Sequence, residues 1–344
     1  MFLLNFHARL PLLLSLTLIG AVVLAVGIGS VTIPARVVAE LLLDRLRLLE
    51  FTEAGARTFT VILFEIRMPR VALMALTGAA LSIAGAAYQG LFRNPLADPY
   101  LVGVASGCGL GATLAIAGGI NAHAIGLSTV PLAAFVGGVL TVGVVVMAAR
   151  VGKTTPVTTM LLAGVAVGAF VTAVTTLLML RRPDGLQRAF TWMLGGYSTG
   201  GWLPVQIMLP YLLLGAVTLQ FYARALNVLQ LGEEQAQQLG IRVEHLKMLL
   251  VTAATLVTAA AVAFGGLIGF VGLIVPHALR MLGAHDYRRL LPLSMLGGAA
   301  FLVLCDLVAR TLLAPRELPV GVITALTGTP FFIFLLRRLK RSVF

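Results

Sequence analysis

Charged residues are scarce in this chain: 11% of its 344 residues are Asp, Glu, Lys or Arg, against about 25% in soluble domains. Cysteine is scarcer still. Cys108 and Cys305 stand alone inside apolar stretches, which excludes a redox CxxC pair, a zinc ribbon and a disulfide framework. Both read as small apolar packing residues. The five histidines, His7, His123, His245, His277 and His285, have no HExxH or other ligand spacing, so no metal centre is expected. Aromatic residues make up 7%, and no stacking cage for a flat ligand can be read from them. A phosphate loop is missing too. Residues 150–156 read RVGKTTP, but the residue five before Gly152 is Met147, where G-x-x-x-x-G-K-[ST] needs glycine after a strand. Residues 196–200, GYSTG, carry the letters of a nucleophile elbow without its strand–turn–helix setting. Lying within WMLGGYSTGGW, they read as a glycine-rich turn rather than as a hydrolase site of Ser198 with His277.

What the chain has is apolar length. Hydrophobic residues make up 59%, gathered in runs that can cross a hydrocarbon core of about 30 Å. Helices apolar all round suit lipid rather than water. Ten segments are expected, at 10–31, 70–92, 99–118, 127–149, 158–180, 203–223, 246–265, 268–283, 291–312 and 320–337. The fold class is therefore all-α, a polytopic membrane protein of about ten transmembrane helices in a single domain over 1–344. The N-terminal apolar stretch runs for about 20 residues, longer than a signal-peptide core, and reads as the first membrane helix.

The net charge of +12 does not point to nucleic acid. Lys and Arg cluster at the ends of the apolar runs, where they anchor helices to headgroups and set orientation. Both termini are expected to be cytoplasmic, with RRLKR at 337–341 as the strongest anchor. The external loop 32–69 carries an amphipathic helix in ARVVAELLLDRLRLLEF, its apolar positions recurring at helical spacing. Glycine and alanine crowd LTGAALSIAGAAYQG and GGLIGFVG, which lets helix backbones approach closely in lipid. Asp306 is the one acid deep in an apolar run. It lies four residues before Arg310, so pairing on one helix face is favoured over a relay. An ion-coupled secondary carrier, the alternative function, would need Asp306 as that relay.

A polar island interrupts this pattern. Residues 231–243 read LGEEQAQQLGIRV. Glu233 and Glu234 suit a helix start, and Gly240 suits its end. On the residues alone, a solvated loop helix accounts for the patch.

Six stretches fit together: residues 64–107, beginning FEIRMPR and containing NPLADP; MLLAGVAVGAF at 160–170; FTWMLGGYSTGGW at 190–202; LNVLQLGEEQAQQLGI at 226–241; GLIGFVGLIVPHALRMLGAHDYRRLLP at 266–292; and DLVARTLLAPRELPVGVITALTGTPFFIFLL at 306–336. In order and spacing they closely resemble the permease subunit of type II ABC importers for cobalamin, haem and ferric siderophores. The resemblance implies a bacterial inner-membrane subunit that performs no chemistry and dimerises, with a second copy or a paralogue, around a central translocation pathway. Two ATPase subunits would dock below, carrying ATP and Mg, so the chain itself needs no cofactor. An external substrate-binding protein would deliver a metal chelate, ferric siderophore first.

The resemblance also assigns residues. The loop 226–245 would be the cytoplasmic coupling loop, with Gly232, Glu233, Glu234, Gln235, Gln238, Leu239 and Gly240 seating in the ATPase. Arg67, Arg70 and Arg310 would meet acids of the binding protein. Thr158 and Thr159 would stand at the gate of a pathway lined by helices five and ten and a short helix after five. Finally, AGAAYQGLFRNPLADP at 84–99 and FGGLIGFVGLIVPHAL at 264–279 share a glycine-rich run ending in proline, and segments 1–5 and 6–10 have the opposite topology that an inverted repeat of two five-helix halves requires.

Overall fold

The computed structural model describes residues 2–29, 33–45, 56–119, 123–124, 127–181, 183–196 and 200–343. Fifteen α-helices follow one another among them: α1 (Phe2–Gly27), α2 (Ala35–Arg45), α3 (Ala56–Val61), α4 (Met68–Leu91), α5 (Val104–Ala117), α6 (Thr129–Ala149), α7 (Val157–Arg181), α8 (Pro183–Met193), α9 (Leu203–Phe221), α10 (Ala223–Leu229), α11 (Glu233–Gln238), α12 (Val243–Gly265), α13 (Val271–Met281), α14 (Tyr287–Thr311) and α15 (Val320–Val343). A two-residue ladder pairs His123–Ala124 with Leu127–Ser128.

Among the described residues, seven helices are long and apolar enough to span a membrane, and three shorter apolar ones, α5, α13 and the 320–335 part of α15, complete ten. Nine begin within a few residues of the expected segments. The second departs from expectation: it starts at Thr58 and runs unbroken to Leu91, 34 residues, because α3 flows through a π-helical turn, Ile62–Arg67, into α4. That wide turn presents the Phe64 carbonyl to the Trp202 indole N–H, 2.9 Å away. The amphipathic helix of the first loop is seen as α2 over 35–45, and the rest of that stretch lies outside the described residues. Ser198 also lies outside them.

Helices α4 and α12 are buried along most of their length, whereas α1 and α7 expose most of theirs. Glycine sets the spacing of this core. A Cβ on Gly78 of α4 would strike the Gly298 backbone of α14, one on Gly85 would strike Gly272 of α13, and one on Gly111 of α5 would strike Ala133 of α6. Backbones this close leave no room for a side chain, and the gain in dispersion contact is what associates helices where lipid removes the hydrophobic drive. The two glycine-rich stretches that suggested a repeat are thus packed on each other.

Candidate functional site

The polar island stands out from one end of the bundle. α9 stops at Phe221, and α10 lies across the ends of α4 and α14 with Leu226 and Leu229 buried. Gln230 Nε2 donates to Gly90 O at 2.9 Å. Asn227 Nδ2 donates to Asp286 Oδ1 at 2.6 Å, and Tyr287 N donates back to Asn227 Oδ1 at 3.0 Å. The small desolvation of the Asp286 carboxyl acts to raise its pKa. The Asn227 amide, the Arg288 N–H and the charges of Arg288 and Arg289 outweigh it and hold the group below its ordinary value. These bonds tie α10 to the start of α14.

The chain then reverses through Gly232, at φ +126°, where an L side chain is strained. α11 starts at once with Glu233 and Glu234 in its first turn. Its end is a Schellman closure: Ile241 N donates to Ala236 O at 3.0 Å and Gly240 N to Gln237 O at 2.9 Å, with Gly240 at φ +83°, the left-handed position glycine fills without strain. Within α11 only Ala236 is buried. Glu234, Gln235, Gln238, Leu239 and Gly240 face outward. Leu231 and Leu239 flank the helix at 60% and 65% exposure.

A helix of six residues is too short to hold itself. Lys247, on the second turn of α12 and 1% exposed, does the holding. Its Nζ lies 2.6 Å from Glu233 Oε2, 3.0 Å from Glu244 Oε1 and 3.3 Å from Thr155 O. Glu244 Oε2 also accepts from Thr155 N at 2.8 Å. One buried ammonium thus joins α11, α12 and the α6–α7 turn, where Val151 and Thr154 exchange backbone bonds of 2.9 and 3.1 Å. The RVGKTTP stretch is this turn. Sequence reasoning missed the role of Lys247 and Glu244. The available signal was their i,i+3 spacing just inside an apolar run.

At the opposite end, the structure brings Arg67, Arg70 and Arg310 together and turns them inward, at 4%, 8% and 5% exposure. Arg67 Nη1 donates to Val26 O and Gly27 O at 2.9 and 3.0 Å, and Arg310 Nη2 to Ala25 O at 3.0 Å. Both cap the end of α1, whose last carbonyls lack partners in their own helix. Asp306 sits between the other guanidiniums: Arg70 Nη2 lies 2.9 Å from Oδ1 and Arg310 Nε 3.0 Å from Oδ2. Arg70 Nη1 reaches Glu317 Oε2 at 2.8 Å. The expected Asp306–Arg310 pair is present. The three arginines, expected to face a partner, are instead turned inward, Arg70 and Arg310 onto the buried Asp306 and Arg67 onto the end of α1, because a buried guanidinium is cheapest beside an opposite charge or a hydrogen-bond acceptor. An acid closed between two arginines is also poorly placed to relay a proton or ion.

Thr158 and Thr159 open the first turn of α7, Thr158 exposed and Thr159 half-buried. They do not line the groove of about 570 Å³ between α8 and α15, which is walled by Met193, Leu194, Leu267, Gly321, Ala325 and Thr329. No group of three or more His, Cys, Asp or Glu among the described residues could hold a metal ion.

Known proteins share this plan. The profile of the FecCD transport family matches residues 16–338. The chain is 46% identical over 280 residues to the cobalamin import system permease protein BtuC of Halobacterium salinarum, covering 81% of this chain and 74% of that one. It is 36% identical to the Fe(3+) dicitrate transport system permease protein FecD of Escherichia coli over 96% of this chain and 99% of the relative. A solved structure described as an inward-facing conformation of a metal-chelate type ABC transporter superposes with a TM-score of 0.81 at 29% identity, covering 94% of this chain and 97% of that one. With ten apolar helices, a polar knob at one end and a profile match over nearly its whole length, the chain belongs to the FecCD transport family.

Proposed function

We propose that this chain is the membrane-spanning permease subunit of an ATP-driven importer of a metal chelate of the ferric siderophore, haem or cobalamin class. The observation that carries the reading is the geometry of 231–243. A short helix, closed at both ends by glycines and pinned by Lys247 to the start of a buried span, is a rigid knob rather than a loop. Rigid knobs transmit rigid-body movement. The outward residues Glu234, Gln235, Gln238, Leu239 and Gly240 meet an ATPase subunit there, and ATP and Mg belong to that partner. Glu233 is a positioning residue held from behind by Lys247.

Two such permease chains, identical or paralogous, enclose the pathway, with α7, α8 and α15 on its wall and Thr158 and Thr159 at its inner mouth. An external binding protein delivers the chelate at the far end, where Arg70 and the half-exposed Glu317 form the outermost layer of the ion cluster. The subunit sits in the bacterial cytoplasmic membrane with both termini inside. Relatives named for cobalamin and for ferric dicitrate support the chelate class.

The test is co-purification with the neighbouring ATPase. Wild type is compared with a Glu234→Arg, Leu239→Asp variant, both positions being exposed and outside the Lys247 contacts. Wild type is expected to retain the ATPase and the variant to lose it. A wild type that retains none, or a variant that retains all, would overturn the reading.

A further inference from the structure

Pro276 stands inside α13. It has no N–H, so the carbonyl four residues earlier, Gly272 O, loses its helical donor. Gly272 is buried, and a buried carbonyl needs a partner. Gln89 of α4 supplies it. The Gln89 side chain is 1% exposed, and its Nε2 lies 3.1 Å from Gly272 O, 3.2 Å from Ala97 O and 3.4 Å from Leu273 O. Its Oε1 accepts from Arg280 Nη1 in the last turn of the same α13. One buried amide therefore grips both ends of an eleven-residue helix and fixes it to α4.

Arg280 continues the chain outward. Its Nη2 lies 3.2 Å from Tyr287 Oη, and its guanidinium carbon 5.6 Å from the Tyr287 ring centre. Tyr287 N is the group bonded to Asn227 of α10, and α10 leads into α11 within four residues. On its other side α13 grips α15. Phe270, held at φ +70° just before α13, lays its ring on Gly328, and the His277 ring stands edge-on to Phe331 with centroids 6.3 Å apart. α15 in turn walls the groove through Gly321, Ala325 and Thr329.

We propose that α13 is the lever between the ATPase contact and the pathway, and that Gln89 is the positioning residue that makes α4, α13 and the start of α14 move as one body. The proposal rests on the reading of α11 as the ATPase contact. Packing alone does not require an amide at position 89. Gly85 already sets the α4–α13 approach, and an apolar side chain would fill the same space. Only a side chain with both a donor and an acceptor serves Gly272 O and Arg280 together.

The experiment uses the whole permease–ATPase complex, with Thr329→Cys as a reporter in the groove. The native Cys108 and Cys305 are buried. Labelling of this chain by a polar maleimide is timed without nucleotide and after vanadate trapping of ADP. In the reporter chain the two rates are expected to differ by about fivefold or more, the lower end of ordinary coupling between sites. Gln89→Leu is made together with Pro276→Ala, which returns an N–H to Gly272 O, although Ala97 O still loses its Gln89 donor. Arg280→Gln, which strips no backbone carbonyl, is the second variant. Each is expected to keep its ATPase and hydrolyse ATP while its two rates converge to within about twofold. A wild-type nucleotide response in either variant, or no response in the reporter chain itself, overturns the lever. A wild type that binds no ATPase refutes the reading of α11 before any variant is made, and the lever falls with it.

Discussion

Replacing Lys247 with Met removes the ammonium and keeps the stem, whose burial the thioether reproduces. Two charge-assisted bonds, to Glu233 at 2.6 Å and Glu244 at 3.0 Å, are lost along with the longer one to Thr155 O. Bonds of this kind contribute about 1.5–3 kcal/mol each. Both carboxylates are about one-third exposed, at 34% and 30%, so water replaces much of what they lose, and roughly half of that total should be discounted. Only the Glu233 bond crosses to α11, Glu244 lying on α12 itself; half of its share leaves the closed state of α11 weaker by about 1 kcal/mol, roughly fivefold in its opening equilibrium. Hydrogen exchange reads this directly. The amides of Leu239, Gly240 and Ile241 bond within the α11 closure, and in Lys247→Met they should exchange about fivefold faster while the α4 core does not change. Thr154, bonded to Val151 O in the turn that Lys247 also holds, should follow. Less than about twofold acceleration at 239–241 would show that α11 holds itself and that the ammonium is incidental.

Other outcomes are equally direct. Asp306→Asn leaves Arg70 and Arg310 buried without their carboxylate, and breaking such a cluster costs about 3–5 kcal/mol; thermal unfolding in detergent should move sharply downward, and an unchanged midpoint refutes the clamp. Gly78→Val drives a side chain into the Gly298 backbone, so the monodisperse peak on size exclusion should collapse, overpacking of this kind costing about 1–3 kcal/mol or more. Trp202→Phe removes the indole bond to Phe64 O and should lower stability by about 1 kcal/mol, measured as the same midpoint shift. The depressed Asp286 carboxyl contributes stability above the ordinary carboxylate range and loses it as pH falls through its lowered value. Protection of the α10 amides against exchange should therefore hold at neutral pH and fail only in strong acid.

Much of the architecture was legible because membrane spans are written in one dimension. Expected segment 158–180 against Val157–Arg181, and 203–223 against Leu203–Phe221, needed only a count of apolar residues. The ends of α11 were legible for a similar reason: acids and glycine act within one turn. What failed was reading where long side chains go. Arg70 and Asp306 lie 236 residues apart, and only the fold places them 2.9 Å from each other. An arginine at the mouth of a helix looks the same in sequence whether it faces a partner or its own interior. Lys247 was counted only as an interfacial anchor because hydropathy does not show that Glu233, fourteen residues earlier, folds back upon it. α8 was expected only from resemblance, since eleven residues with an amphipathic pattern are too few to register as a span. The π-helical turn before α4 carries no signal at all; the contacts it makes, Trp202 to Phe64 O and Arg67 to Val26 O, are tertiary.

Leu231 and Leu239 give the subunit an unfinished surface. Each keeps more than half of its area in water at the tip of the knob, where full burial would be worth about 1.5–3 kcal/mol apiece. A partner that covers them gains that free energy without any change in the permease fold. A permease without a partner has two greasy points on an otherwise polar projection, well placed to stick to whatever else exposes oil. On the proposed reading, the same two side chains tighten a correct assembly and make an orphan subunit adhesive, so co-expression with the candidate ATPase should reduce aggregation of the chain.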